Sequence, residues 1–182
     1  MSGAIARRYA KAIIAVAQEQ DALEQTGDEL RVLRALGADP QIAQALGNPM
    51  LTAPARRQLA LAIADRLTLR PIMRNFLGVL ADNRRLDQLV GIADQYQKIV
   101  DGMLGRVRAT LTSAAPLSPE QLDAIVTALG RQTGRTVLVE QQADPQLLGG
   151  VVVDVEGKVY DGSLRTQLEA LATSIAGGRA LL

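Results

Sequence analysis

The chain has 182 residues, with 20 Lys and Arg against 19 Asp and Glu, and contains neither Cys nor His. Thiol nucleophiles, thiolate or imidazole metal sites and histidine-based catalytic triads are therefore excluded. The first 105 residues hold thirteen cations against eleven carboxylates, and the rest seven against eight. Neither part has the basic excess of a nucleic-acid binder, and with only Tyr9, Phe76, Tyr96 and Tyr160 as aromatics there is no base-stacking platform.

A chain of this length can bury roughly 70% of its unfolded surface, enough for one large or two small domains without metal or disulfide. Its longest uninterrupted apolar runs fall far short of the roughly 20 residues that span a bilayer. The start, MSGAIARRYAKAIIAVA, carries Arg7, Arg8 and Lys11, but its apolar residues keep helical spacing and no small-residue cleavage pattern follows. It reads as the first helix of a mature, untargeted protein.

Ile5, Tyr9, Ala12, Ile13 and Val16 form one apolar stripe on that helix, and Ala6, Ala10, Ile14 and Ala17 form a second. A helix apolar on two sides is either deeply buried or offers a groove to a partner helix. Leu23, Leu30, Leu33 and Leu36 make the next stripe, ended by Gly37. Asp39-Pro40 opens a short helix with Ile42 and Leu46 inward, and Asn48-Pro49 breaks it.

Thr52 caps a helix carrying Leu59, Ile63 and Leu67, and Pro71 begins another with Ile72, Phe76, Val79 and Leu80. A last long stripe runs from Leu86 through Leu89, Val90, Ala93, Tyr96 and Val100 to Leu104. Six helices joined by short loops are the pattern of a compact bundle.

The period changes after Gly105, where Val107, Ala109 and Leu111 alternate with Arg106, Arg108, Thr110 and Thr112 as a half-buried strand. Ser118-Pro119-Glu120-Gln121 supplies a capping box for a helix with Leu122, Ile125, Val126 and Leu129 inward, ended by Gly130 and Gly134. Residues 136–141 and 147–155 read as strands, Glu156-Gly157 as a hairpin turn, KVYD as the returning strand, and Ser163 as the cap of a final helix with Leu164, Leu168, Leu171 and Ile175. The expected fold class is α+β: a six-helix bundle over 1–105, then a small α/β domain over 106–182 with a mostly antiparallel sheet and helices on one side.

Gly149-Gly150 lacks the Lys-Ser/Thr of a phosphate loop and does not join a strand to a helix, so a bulge or close strand packing accounts for it. Asp144, Asp154, Glu156 and Asp161 have the oxygen chemistry of a Mg²⁺ site, yet each falls at a turn or cap. The Arg pairs at 7/8, 56/57 and 84/85 read as solvated faces or contacts with an acidic partner. Nothing assembles a nucleophile, a base and an oxyanion donor, so no catalytic, cofactor or metal site is expected. The residues alone give a two-part protein-binding adaptor.

Three stretches in register go further. DPQLLGGVVVDVEGKVYDGSLRTQLEAL (144–171), ARRYAKAI near the start and FLGVLADNRRLDQL (76–89) resemble the delta subunit family of F-type ATP synthases, whose mitochondrial counterpart is the oligomycin-sensitivity-conferring protein. The resemblance spans essentially the whole chain, with Asp144, Gly149, Gly150, Asp161, Ser163 and Leu168 at the signature positions, read chiefly as fold-determining. It implies a non-catalytic stator subunit whose helical domain binds the N-terminal helices of the alpha subunits and whose second domain grips the C-terminal ends of the stalk b subunits. The groove it implies lies between the first and fifth helices, with Tyr9 and Val79 at its centre and Ala6, Ala10, Ile13, Ile14 and Leu80 around them. The last helix, Leu164 to Ile175, is the implied stalk contact.

A peripheral place at the cytoplasmic face of a bacterial membrane, held only through the complex, is expected. An RNA- or ribosome-associated adaptor is the alternative, disfavoured by the flat charge.

Overall fold

A computed structural model of the chain describes residues 2–145, 147, 149–164 and 166. The chain divides into two compact units, Met1–Val100 and Asp101–Leu182.

The first unit is helical: α1 (Ser2–Glu19), α2 (Leu23–Ala38), α3 (Pro40–Leu46), α4 (Ala53–Arg66), α5 (Pro71–Asp82) and α6 (Leu89–Met103), the last running past the division. Helix starts follow local chemistry. Asp39 accepts from the backbone N–H of Gln41 at 2.8 Å and of Ile42, and Thr52 Oγ1 accepts from Ala55 N–H. Prolines occupy the first turns of α3, α4 and α5, where their missing N–H costs nothing. The stripe expected to begin one helix at Leu86 instead opens with a 3-10 turn, Leu86–Gln88. The preceding Arg84 sits at φ +56 after the end of α5, and the chain must redirect before α6 can start.

The core of this unit is built from Leu30, Leu33, Met73, Leu77, Leu80, Leu86, Leu89, Ile92 and Tyr96, all nearly or fully buried. Burying each such side chain contributes about 1.5–3 kcal/mol. Tyr96 donates its hydroxyl proton to the carbonyl of Leu23 at 2.7 Å. Burial pushes its phenol up to about 12, against the opposing hydrogen bond from Thr26 and the charge of Arg70, so the ring stays neutral. Arg56 departs from the surface role expected of the arginine pairs: it is buried and donates to the carbonyls of Leu51 (2.7 Å) and Ala81 (3.3 Å). Its neighbour Arg57 does lie exposed, paired with Asp82.

The second unit holds β1 (Arg106–Ser113), α7 (Pro119–Thr133), β2 (Thr136–Ala143), β3 (Gly150–Val155) and β4 (Lys158–Ser163), in the sheet order β2-β1-β3-β4. The sheet is mixed: β1 pairs with β2 in parallel through the α7 crossover, while the other two pairings, β1–β3 and β3–β4, are antiparallel. Alternation in β1 buries Val107, Ala109 and Leu111 with Val137, Val153, Val155 and Leu129 of α7. The capping box at Ser118 and Gln121 is formed in both directions, and Gly134, at φ +66, closes α7 in the left-handed region.

Candidate functional site

Helix α1 sends its two apolar stripes to different places. Ala6, Ala10, Ile14 and Ala17 are 4% exposed or less and belong to the core of the helical unit. Leu80 of α5 is fully buried there too. Ala6, Ala10, Ile14 and Leu80, expected around a partner groove, thus line the interior; helical spacing marks an apolar face but not what covers it.

The other stripe borders an open groove, with Ile13, 3% exposed, shared between the groove and the core. Tyr9, Ala12, Ile13 and Val16 of α1 form one wall, and Pro71, Ile72, Phe76 and Val79 of α5 the other, enclosing about 530 Å³. Polar side chains stand among the lining residues: Gln20, Arg70 and Asn75. Val16 is 41% and Val79 48% exposed, one on each wall of the groove. Tyr9 and Phe76 meet edge to face, centroids 6.5 Å apart at 69°, and the guanidinium of Arg8 lies 5.6 Å over the Tyr9 ring. Of the seven residues expected at the partner site, Tyr9, Ile13 and Val79 come together here. Ala12, Val16, Ile72 and Phe76 complete it, and the stripe on the first helix already carried the signal for the first two.

The signature segment of the second unit is occupied by its own backbone. Gly150 has φ +83, and a Cβ there would lie 2.4 Å from the carbonyl oxygen of Gly162. Gly149 has φ +147, and a Cβ on it would meet Leu164 at 2.7 Å. The strand expected from residue 147 starts only at Gly150. At the hairpin, Glu156 and Gly157 take φ +51 and +88, and Asp154 Oδ1 accepts from Gly157 N–H at 2.7 Å.

Asp161 accepts from Ser163 N–H at 2.8 Å and from the Thr166 hydroxyl at 2.7 Å. Ser163 Oγ in turn accepts from Thr166 N–H. These bonds, the one from Thr166 first, hold the Asp161 carboxyl below the usual carboxylate range. Asp144 ends β2, its N–H bonded to the Ser113 carbonyl at 3.0 Å. Of the carboxylates considered as metal ligands, those of Asp154 and Asp161 are spent on a turn and a cap and that of Glu156 pairs with Arg135, and among the described residues no group of three or more potential ligands forms. Leu168 and the rest of the expected last helix, apart from Leu164 and Thr166, lie outside the described residues.

An apolar groove between two helices with polar residues at its edges can receive the apolar face of a third helix through anchors every three or four residues. It has no arrangement of groups that would activate a nucleophile. Among the described residues no helix is long and apolar enough to cross a membrane.

Comparison with known proteins adds the rest. The family model of the ATP synthase delta (OSCP) subunit matches residues 5–175. The chain is 42% identical over 176 residues to ATP synthase subunit delta of Anaeromyxobacter sp. (strain K), covering 96% of this chain and 98% of the relative. It is 37% identical over 179 residues to that of Geobacter metallireducens, covering 98% and 99%. Among solved structures, a chain of the Toxoplasma gondii mitochondrial ATP synthase hexamer shares the fold, with TM-score 0.66 at 24% identity, over 94% of this chain and 97% of that one.

Proposed function

This chain belongs to the ATP synthase delta (OSCP) subunit family, the non-catalytic stator component of F-type ATP synthase, and from that premise we propose that its α1/α5 groove holds the N-terminal helix of an alpha subunit while its second unit grips the C-terminal ends of the b subunits. The observation that carries the first contact is the pair of exposed valines, Val16 and Val79, on facing walls of an apolar groove. Leaving such side chains in water forgoes burial that a partner helix would supply.

A stator needs slow release under torque more than fast exchange. Two moderate contacts on two linked units meet that need through effective concentration, because loss of one contact leaves the other to hold the partner nearby. The proposed place is peripheral, at the cytoplasmic face of a bacterial membrane, reached only through the complex. The chain itself supplies no chemistry in this reading; it transmits force so that rotation is coupled to ATP synthesis.

The test is a calorimetric titration of the full chain with a peptide copied from the N-terminus of the same organism's alpha subunit. Saturable 1:1 binding that Val79→Asp abolishes or strongly weakens is the expected result. Wild-type affinity in that variant would rule out the groove as the contact.

A further inference from the structure

The N-terminus of α5 has an unusual cap. Arg70 occupies the capping position and its own side chain makes no capping bond. A residue of α2 does so instead: one oxygen of Glu29 accepts from the Arg70 backbone N–H at 2.8 Å, and the other pairs with the Arg70 guanidinium at 3.0 Å. The same guanidinium donates to Gln25 Oε1 at 2.7 Å and to Thr26 Oγ1 at 3.0 Å. Thr26 is fully buried, and the Glu29 side chain is only 15% exposed, so the pair is partly shielded from water. A carboxylate at a helix N-terminus also complements the helix dipole.

The position of this clamp is what gives it consequence. Arg70, Pro71 and Ile72 all line the groove, so fastening Arg70 to α2 fixes the first turn of the α5 wall. The two walls meet through the Tyr9–Phe76 ring contact and through the shared core, to which Ile13, Phe76, Leu77 and Leu80 all belong. To that apolar packing the Glu29 clamp adds a directional polar tie from α2 at the Arg70 end of the groove.

We propose that Glu29 is the positioning residue of the groove, pinning the first turn of α5 to α2 so that Pro71 and Ile72 stand apart from Val16 by the width a helix face requires. The inference rests on the groove being the partner site. The absence of cysteine lets Glu19→Cys and Asn75→Cys carry two spin labels and no others. The distance distribution between them, measured on the full chain without ligand, reads the groove width directly. The affinity of the unlabelled chain for the alpha-subunit peptide reads its consequence.

Glu29→Ala is expected to shift or broaden the distance distribution and to weaken the peptide about five- to tenfold, with Glu29→Gln between it and wild type. In a double-mutant cycle the loss should couple to Val79→Ala, since both act on one groove; a role confined to overall stability gives additive losses. An unchanged distribution in both Glu29 variants overturns the proposal, as does additivity with Val79→Ala. Should Glu29→Ala fail to fold, Glu29→Gln alone carries the same two readouts. A wild-type chain that binds no peptide refutes the groove as the partner site, whereas the label distances still decide whether Glu29 sets its width.

Discussion

The α1/α5 groove and the 144–164 segment encode their roles in opposite ways. The segment is dense in recognisable residues, two adjacent glycines, a hairpin and an Asp-x-Ser entry, and nearly every one of them is consumed by its own backbone. The groove is marked by no turn or cap chemistry, only by two valines, two isoleucines and two aromatic rings at helical spacing. Residue identity is tightly constrained where a backbone has a single acceptable neighbour. A surface that receives an apolar helix constrains only size and polarity.

The comparison predicts that damage separates. Gly150→Ala should have the largest effect, because the added Cβ meets the Gly162 carbonyl at 2.4 Å and the Ser163 Cα at 2.9 Å, in a backbone conformation that only glycine adopts comfortably. The cost should reach about 3 kcal/mol or more from combined strain and overpacking. Urea unfolding followed by amide exchange should show the strands of the second unit losing protection while α1 to α5 keep theirs. Equal loss in both units would mean that the signature segment is not local in its effect.

Val79→Asp should do the reverse. Val79 is 48% exposed, so stability should change little, but peptide affinity should fall by about 2–3 kcal/mol because the complex would bury an unpaired carboxylate. A large drop in melting temperature would show Val79 to be a packing residue instead of a contact.

The two faces of α1 sharpen the comparison within one helix. Ala10 is fully buried and Ala12 lines the groove. Ala10→Leu should therefore destabilise the chain by about 2 kcal/mol through overpacking, with peptide binding lost only in proportion to unfolding. Ala12→Leu should leave the melting temperature near wild type and reduce peptide affinity by filling the groove. If both variants behave alike, the assignment of the two stripes fails.

The fate of those stripes also shows what a sequence reveals. Helix positions, caps and the change of period at Gly105 were legible because local chemistry decides them: Asp39, Thr52, Ser118 and the first-turn prolines cap as their residue types require. Which stripe of α1 meets the core was not, because both are apolar and the choice depends on where α2 and α5 pack. The parallel pairing of β1 with β2 was hidden for a similar reason: strand pattern records burial, not partner. Glu29 gave no signal either, since its partner lies 41 residues away.

Asp161 provides the smallest and most specific separation. Its carboxylate is stabilised by the Thr166 hydroxyl and then by Ser163, so its folded pKa lies below that of the unfolded chain. The sign follows from linkage: its contribution to stability is fully present above the ordinary aspartate range and is lost as pH falls through the lowered folded value. The second unit should therefore lose part of its stability on acidification below about pH 4, and Asp161→Ala should flatten that part of the profile. Asp161→Asn should fall between, because the amide oxygen can still accept from Ser163 N–H. The group is fully exposed, so the effect should be modest and should appear in amide protection near Ser163 before it appears in global unfolding. Peptide binding at neutral pH should match wild type in both variants. A pH profile that is the same with and without the carboxylate would mean that the Asp-x-Ser entry is held by Ser163 alone, and the motif-dense segment would then owe its residue constraints chiefly to its two glycines.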